Sequence, residues 1–253
     1  SGNAAIAHAL DLIRSGRAEA ALACGYDSIQ RASWAGLSAL RVMALPSDGA
    51  PAAVRPFDRD RAGTIFSEGA GCLLLESARS ARERGATLLA EVAGAAANNN
   101  AYHMTRADEE GLGIAAAIRM ALDDAGITAD QVDHINAHGT ATKLNDAVEA
   151  RAFHAVFGER AKRIPVVSLK GALGHAMGAA SALEAVAAVM TLREGTIPPT
   201  VGHERPDPDC RLDVAHGAPR EAAVETILNN AAGIGGANAA AVLRKPAGPA
   251  DAS

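Results

Sequence analysis

The sequence predicts a layered α/β fold, and two observations support this class. Apolar stretches with helical periodicity alternate with short apolar stretches typical of buried strands along the 253 residues. The composition is 49% hydrophobic but only 3% aromatic, with 25 glycines, which favours closely approaching helices and strands over a core of large rings. The length suffices for one large domain or two coupled layers.

The first third of the chain is predicted to contain two strands among helices and a loop. Apolar residues recur at helical spacing over 4–13, and Gly16 ends that helix. Ser77 is the predicted N-cap of a short helix that ends at Gly85. In order, the elements are a helix over 4–13, a strand over 18–24, a looser helical segment over 28–43, a polar loop over 55–63, a strand over 69–76 and the short helix.

The remainder of the chain continues this alternation. Ile114, Ile118 and Leu122 follow the i, i+4, i+8 spacing of a helix face. The predicted elements are a strand over 87–97, that helix, a strand over 132–137, a helix over 146–157, a strand over 164–168, an alanine-rich helix over 178–192, and strands over 225–232 and 238–245. No low-complexity linker divides the chain, and residues 246–253 are predicted to form a disordered tail.

Charge, hydropathy and cysteine spacing exclude several classes of function. The formal net charge is −5 and the chain has no run of Lys and Arg, so nucleic acid is not an expected partner. No stretch approaches the roughly 20 apolar residues of a membrane span. Cys24, Cys72 and Cys210 are odd in number and lack C-x-x-C spacing, which argues against a disulfide framework or a zinc site. We therefore expect a reducing, cytoplasmic location.

A polar segment, "NAHGTAT" over 136–142, follows a predicted strand. His138 is therefore expected at the carboxyl end of that strand, where open α/β sheets commonly bind ligands. The hydroxyls of Thr140 and Thr142 would point the same way from an extended loop and could bond an amide-bearing ligand. Taken alone, a histidine in such a place is more often structural than catalytic.

Two acidic residues, Asp146 and Glu149, come next, and their D-x-x-E spacing before an apolar helix is also that of a capping box. A third, Glu184, falls on an otherwise apolar helix face, where a carboxylate is costly unless it meets a cation. Lys170 is the predicted partner, since "SLKGALGHAM" over 168–177 places it five residues before His175 among small side chains. The alternative is an exposed lysine and a solvated glutamate.

The turn "GIGG" over 233–236 lies between the last two predicted strands. A single glycine turn is weak evidence for a site, and the spacings of a dinucleotide-binding or phosphate-binding loop are absent. The metalloprotease pattern HExxH is also absent, and the histidines do not cluster with cysteines. The sequence thus predicts no metal site.

These three segments occur in the order, and with the flanking residues, of the catalytic landmarks of the beta-ketoacyl-ACP synthases, which this sequence resembles. That family is the elongating ketosynthase branch of the thiolase-like superfamily. "NAHGTAT" resembles its first histidine motif, "SLKGALGHAMGAA" its lysine and second histidine motif, and "NNAAGIGGANAAAV" its terminal glycine loop. "RPFDRDRAG" and the opening segment from Ser1 extend the likeness to about Lys245.

The resemblance implies a thiolase-like layered αβαβα fold. Residues 1–85 would be the end of its N-terminal half, with the edge of the first sheet, and residues 86–245 the C-terminal half, with the second sheet. Ser1 and Gly2 match the last two positions of the family's A-C-[SA]-[ST]-G elbow. We therefore expect the nucleophilic cysteine two residues before Ser1. The three cysteines present are in other contexts and are expected to be buried strand or turn residues.

The resemblance also implies the reaction, a decarboxylative Claisen condensation of an acyl thioester with malonyl-ACP in fatty-acid or polyketide biosynthesis. His138 and His175 would donate hydrogen bonds to the thioester oxygen where enolate charge develops. Lys170, paired with Glu184, would keep both imidazoles uncharged. Thr140 and Thr142 would bind pantetheine amides, and the turn formed by Gly233, Ile234 and Gly235 would contribute to an oxyanion hole. The substrates would be carried on phosphopantetheine, with no other cofactor and no metal.

The implied partners are an acyl carrier protein and a second ketosynthase-like subunit, in a homodimer or a heterodimer. One alternative is a catalytically silent partner subunit of the chain-length-factor type, although both histidines and the lysine favour the active subunit. Another is a scaffold in which the histidines are only structural. A degradative thiolase would carry a cysteine in its glycine loop, and an initiating ketosynthase an asparagine at position 175, so neither fits.

Three positions depart from the family pattern. Ile234 stands where the usual "GFGG" loop has a gating phenylalanine, and Ala232 replaces another frequent aromatic residue. The smaller side chains predict a wider or differently shaped acyl pocket. Ala62 occupies a position where an acidic residue is common in the family. Together, these departures favour a specialised pathway such as polyketide synthesis.

Overall fold

A computed structural model describes residues 1–46, 51–104 and 108–246. The strands are β1 (Ala20–Asp27), β2 (Gly69–Glu76), β3 (Glu91–Asn99), β4 (His134–Asn136), β5 (Pro165–Val167), β6 (Thr196–Ile197), β7 (Asp213–Val214), β8 (Arg220–Glu221), β9 (Thr226–Ala232) and β10 (Ala237–Arg244). The α-helices are α1 (Gly2–Arg14), α2 (Arg31–Ala39), α3 (Ala78–Glu83), α4 (Leu112–Asp124), α5 (Lys143–Phe157), α6 (Lys170–Leu173) and α7 (Ala180–Glu194).

Six strands form the main sheet, in the order β3-β10-β9-β4-β5-β7. β3, β10 and β9 pair antiparallel, whereas β4 runs parallel to both β9 and β5. Because β4 and β5 are parallel neighbours, the segments that follow them leave the sheet at the same edge. These segments are "NAHGTAT" and "SLKGALGHAM", so the topology brings the two histidine motifs together.

Helices cover both faces of the main sheet. On one face, α4 and α5 pack against the strands through a core that includes Ile118, Phe153 and Leu228. On the other face, α1 and α7 enclose a second core that includes Ile6, Leu192 and Ile227. Consecutive residues of β9 therefore belong to different cores, as the alternation of side chains along a strand requires.

β1 and β2 form a separate antiparallel sheet that packs on the far side of α1 and α7. The layers thus alternate helix, sheet, helix and sheet, which confirms the predicted layered α/β class. On the outer face of the small sheet, Leu22, Tyr26 and Leu74 are 70%, 79% and 58% exposed.

The cysteine prediction is wrong for two of the three residues. Cys24 and Cys72 are register partners in β1 and β2, with Cα atoms 4.2 Å apart, and they form a disulfide on the exposed face of that sheet. The disulfide could not be predicted from the sequence, because 48 positions separate the two cysteines and only the register of β1 and β2 brings them together. Cys210 is buried, as predicted.

Most predicted elements are present, with shifted boundaries. The strand over 69–76 has its predicted bounds, whereas the helix expected over 146–157 begins at Lys143 because Thr142 is its N-cap. Ser77 caps α3 by accepting a hydrogen bond from the backbone N–H of Ser80. Apart from residue 246, the predicted disordered tail lies outside the described residues. No helix within the described ranges is long and apolar enough to cross a membrane.

Candidate active site

A cavity of about 550 Å³ opens at the edge of the main sheet where the histidine motifs meet. Its walls come from the start of α1, the loops after β4 and β5, and the turn between β9 and β10. Seven of the site residues predicted from the sequence line it, namely His138, Thr140, Thr142, His175, Gly233, Ile234 and Gly235. Ser1 also lines the cavity.

The two histidine rings lie side by side. Their centroids are 5.3 Å apart and the rings meet edge to face, at an interplanar angle of 84°. The backbone of His175 is held by the segment 65–67, because its N–H donates to the carbonyl of Ile65 at 2.7 Å and its carbonyl accepts from the N–H of Ser67 at 3.1 Å. The two rings therefore lie next to each other in the cavity wall, although they come from different loops.

The tautomer of His175 follows from its local contact. The backbone N–H of Met177 donates to Nδ1 of His175 at 3.2 Å, so this nitrogen acts as an acceptor. A neutral imidazole has one donor and one acceptor nitrogen, so its proton lies on Nε2. His175 therefore offers an N–H donor from the ring nitrogen on the side away from its own backbone.

Lys170 and Glu184 form a buried ion pair, as the sequence predicts. Their side chains are each 2% exposed, and the Lys170 ammonium donates to Oε1 of Glu184. Neither residue is among those that line the cavity. The pair lies outside the cavity wall, and the Lys170 ammonium acts on the histidines through its charge.

Burial and charge both keep the imidazoles neutral. Burial is the larger cause and the Lys170 ammonium the next, and together they lower the pKa of His175 to about 3. The pKa of His138 also lies well below its usual value, through burial first and then through Lys170 and His175. Lys170 therefore disfavours the charged rings, as the resemblance implies, and burial, which the sequence analysis did not consider, contributes more.

Asp146 and Glu149 do not form the capping box that their spacing suggested. Both are fully buried, and their carboxylates accept hydrogen bonds from loop backbone N–H groups. Glu149 accepts from His138 at 2.7 Å and from Gly139 at 2.8 Å, whereas Asp146 accepts from Ala141 at 3.1 Å. Burial raises the pKa of Glu149 to about 7 and that of Asp146 to about 6. These carboxylates fix the loop that carries His138.

The threonines face each other across the loop. Their hydroxyl oxygens are 3.0 Å apart, and Thr142 also accepts a hydrogen bond from the N–H of Asn145 at the start of α5. Arg61, from the polar loop over 55–63, donates to the carbonyls of Thr142 and Lys143. Its role was missed from the sequence because nothing in "RPFDRDRAG" distinguishes a buried arginine from a solvated one.

The glycine turn closes one side of the cavity. Gly235 and Gly236 have φ values of 88° and 78°, a region that other residues rarely adopt, so the turn requires glycine there. Ile234 is 57% exposed and projects where the cavity opens. The side chain at this position is therefore placed where it can influence access to the cavity.

None of the three cysteines lies in the cavity wall. Burial raises the pKa of the Cys210 thiol to about 12, which keeps it protonated and unreactive. Among the described residues, no group of three or more His, Cys, Asp and Glu side chains could hold a metal ion.

Comparisons with known proteins agree with this arrangement. The family model of the beta-ketoacyl synthase N-terminal domain matches residues 1–81, and that of the C-terminal domain matches residues 89–204. Nodulation protein E of Rhizobium meliloti is 43% identical over 249 residues, covering 97% of this chain and 59% of that protein. The tetracenomycin polyketide synthase ketoacyl synthase alpha subunit of Streptomyces glaucescens is 41% identical, covering 97% of this chain and 58% of that protein.

Solved structures agree as well. The ishigamide ketosynthase/chain length factor has a TM-score of 0.90 and 42% identity, covering 97% of this chain and 59% of that one. A ketosynthase bound to the hexaketide, solved in complex with its type II polyketide synthase acyl-carrier protein, has a TM-score of 0.94 and 38% identity, with coverage of 97% and 61%. The chain spans about three fifths of the length of these relatives. Two adjacent family models, these identities and a thiolase-like layered fold show that the chain belongs to the beta-ketoacyl synthase family.

Proposed function

We propose that the protein containing this chain is a ketosynthase that condenses an acyl thioester with malonyl-ACP, with loss of carbon dioxide. The observation that carries this proposal is the pair of neutral imidazoles, His138 and His175, 5.3 Å apart in one cavity. Two uncharged imidazoles side by side in one cavity can donate hydrogen bonds to an oxygen that becomes negative during the reaction. The named relatives, a polyketide ketoacyl synthase subunit among them, support the same reaction.

The chemistry proceeds through a cysteine thiolate, which we place two residues before Ser1. Ser1 lines the same cavity as the two histidines, which supports a nucleophile close to it in the chain. The thiolate attacks the acyl thioester and releases the carrier thiol, giving an acyl-enzyme. The malonyl thioester then loses carbon dioxide, and the electron pair of the broken C–C bond forms an enolate. Its carbon attacks the acyl-enzyme carbonyl, and the thiolate leaves.

Each group of site residues has its own role in the proposed reaction. His138 and His175 donate to the enolate oxygen, and the Lys170–Glu184 pair positions them and helps keep them uncharged. Thr140 and Thr142 would bind the pantetheine amides. The backbone N–H groups of the cysteine and of the turn over Gly233, Ile234 and Gly235 would form the oxyanion hole for the acyl transfer.

The partners that fit this function are an acyl carrier protein and a second ketosynthase-like subunit. Support comes from one similar ketosynthase solved with its carrier protein and another solved as a ketosynthase/chain length factor.

We also propose that the chain divides between residues 85 and 86 into the end of the N-terminal half and the C-terminal half. The gap between the two family-model matches supports this boundary. The Cys24–Cys72 disulfide removes the cysteine-based argument for a reducing compartment, so the proposed cytoplasmic location rests on the carrier-bound substrates alone. Phosphopantetheine, on the carrier, would be the only prosthetic group.

The test is to express the whole protein and measure condensation of acyl-ACP with malonyl-ACP, and carbon dioxide release, for wild type and His175→Ala. We expect the variant to lose about 10²- to 10³-fold in kcat, the scale for removing one oxyanion donor. Mass spectrometry should locate the acyl group on the cysteine before Ser1. Wild type without an acyl-enzyme or decarboxylation would instead indicate a silent partner subunit or scaffold, and an unimpaired variant would refute the role of His175.

A further inference from the structure

Two consecutive asparagines lie in the middle of β9, and both are completely buried. Because side chains alternate along a strand, Asn229 and Asn230 point to opposite faces of the main sheet. Asn229 shares its face with Ile227, on the side of α1 and α7, whereas Asn230 shares its face with Leu228, on the side of α4 and α5. Buried amides are costly unless they are hydrogen-bonded. The Oδ1 atoms of both side chains have no partner among the described residues, so the bonds that the two Nδ2 atoms donate indicate what the pair does.

On the first face, Asn229 forms a reciprocal amide pair with Asn3. The Nδ2 of Asn229 donates to Oδ1 of Asn3 at 2.8 Å and to the carbonyl of Ser181 at 3.1 Å. The Nδ2 of Asn3 donates back to the carbonyl of Asn229 at 2.8 Å. The backbone N–H of Asn3, in the first turn of α1, donates to Oγ of Ser181 at 3.1 Å.

These bonds hold the start of α1 at a point of very close packing. A Cβ atom at Gly2 would lie 2.4 Å from the backbone nitrogen of Ala182, so the first turn of α1 lies directly against α7. The next residue toward the N-terminus, Ser1, lines the cavity. A shift of Asn3 would therefore be transmitted to whatever group precedes Ser1.

On the second face, Asn230 supports the loop of His138. Its Nδ2 donates to Oε1 of Glu149 at 2.7 Å. The same carboxylate accepts from the backbone N–H groups of His138 and Gly139. Asn230 thus holds the Glu149 carboxylate in place, and that carboxylate in turn holds the backbone of His138.

We propose that Asn229 and Asn230 are positioning residues that set the two halves of the active site from opposite faces of one strand. Asn229 sets the start of α1, and with it the nucleophile, whereas Asn230 sets His138 through Glu149. This inference rests on the proposed ketosynthase function. It predicts that the two adjacent residues control different steps: Asn229 the acylation of the cysteine, and Asn230 the decarboxylation of malonyl-ACP.

The experiment compares Asn229→Ala and Asn230→Ala in the whole protein, with two single-turnover rates for each. The first is acyl transfer from acyl-ACP to the cysteine, and the second is carbon dioxide release from malonyl-ACP by enzyme that is already acylated. We expect Asn229→Ala to slow the first step by about 10²-fold, the scale for a misplacement of about 1 Å, and Asn230→Ala to slow the second similarly. Each variant should leave the other step within a few-fold of wild type.

Two controls separate positioning from a general loss of structure. Ile118→Ala removes buried volume from the α4 side, away from the cavity, and should lower the melting temperature without changing either rate in folded protein. Asn3→Ala should slow the same step as Asn229→Ala, and the two effects should be less than additive in the double variant, because both substitutions remove the hydrogen bond between the two side chains.

The outcomes are distinct. If both variants slow both steps equally, or lose activity only in proportion to a lowered melting temperature as Ile118→Ala does, the asparagines are merely structural and the proposal is wrong. Unchanged rates in both variants would also overturn it. If wild type neither forms an acyl-enzyme nor releases carbon dioxide, the proposed function fails and this inference fails with it.

Discussion

At the scale of single residues, the site depends on keeping two adjacent imidazoles uncharged. Burial contributes most and the Lys170 ammonium contributes next to the lowered pKa of both His138 and His175. The ammonium is itself buried and is compensated by Glu184. The Lys170 ammonium lies outside the cavity wall, and its charge disfavours protonation of the two rings. Both rings can therefore act as neutral hydrogen-bond donors.

Replacing Lys170 with methionine tests this arrangement. With the cation gone, the pKa values of both histidines should rise toward their ordinary value, so the acid limb of the kcat profile should move to higher pH. We expect kcat to fall about tenfold or more at the acid end of the profile, where the raised pKa lets the rings take up a proton, and to approach the wild-type value toward pH 8. KM for the carrier protein should change little. The measurement is kcat and KM of the whole protein from about pH 5 to pH 8.

The matched control is Lys162→Met, which removes a lysine paired with Glu159 on the surface. It should leave the profile unchanged. A Lys170→Met enzyme with the wild-type acid limb would show that the ammonium does not influence the rings.

At the scale of elements, the glycine turn between β9 and β10 sets the opening of the cavity. Ile234→Phe restores the large side chain that the family usually carries there, so we expect the variant to disfavour long or bulky acyl chains. Competition between short and long acyl-ACP substrates measures the change as a ratio of kcat/KM values. Ile29→Phe, at an exposed position that does not line the cavity, is the control. Unchanged selectivity in Ile234→Phe would mean that the turn does not gate chain length.

The β1–β2 pair offers a second prediction at this scale. The disulfide between Cys24 and Cys72 closes a long loop, and the chain-entropy model assigns about 4 kcal/mol of stabilisation to a loop of this size. Reduction should therefore lower the melting temperature of wild type but not that of Cys24→Ala, in which the bond is already absent. Equal effects of reductant on both proteins, or on neither, would contradict the pairing.

Elements with a local sequence pattern could be predicted from the sequence. Strands and helices with clear periodicity, such as the strand over 69–76 and the alanine-rich helix, were predictable because the pattern is local. The Lys170–Glu184 pair was predictable because a carboxylate on an apolar helix face requires a cation.

The interactions that sequence reasoning missed depend on contacts between distant segments. The disulfide requires the register of β1 and β2, and the role of Glu149 requires the loop of His138 to fold back over α5. A D-x-x-E spacing has the same appearance whether its carboxylates cap a helix or support a neighbouring loop. Only the tertiary structure distinguishes these two uses.

At the scale of the whole molecule, the candidate active site joins segments that are distant in the chain. The start of α1, the loops after β4 and β5, and the β9–β10 turn all reach one cavity. Their buried ionisable groups should also link global stability to pH. Burial raises the pKa of Glu149 from 4.5 to about 7, whereas it lowers that of His134 from 6.5 to about 4. The two groups therefore act on stability in opposite directions.

For His134, as for His138 and His175, the folded-state pKa is lowered, so the stability it contributes is present above about pH 6.5 and is lost as the pH falls toward 4. For Glu149 the folded-state pKa is raised, so its contribution is present below about 4.5 and is lost as the pH rises through about 7. Acidification from about pH 8 to pH 5 should therefore destabilise the protein through its histidines, with Glu149 opposing that loss.

Replacing Glu149 with glutamine removes the opposing group and its titration. The free energy of unfolding should then fall more steeply over the same pH range, by on the order of 2 kcal/mol relative to wild type, since a pKa difference of one between the folded and unfolded protein is worth about 1.4 kcal/mol. Urea unfolding of the whole protein at a series of pH values measures the difference in slope. Glu159→Gln, which changes an exposed carboxylate, should not steepen the wild-type slope. If Glu149→Gln gives the wild-type slope, the carboxylate under the His138 loop stays ionised throughout this range, and its three hydrogen bonds outweigh its burial.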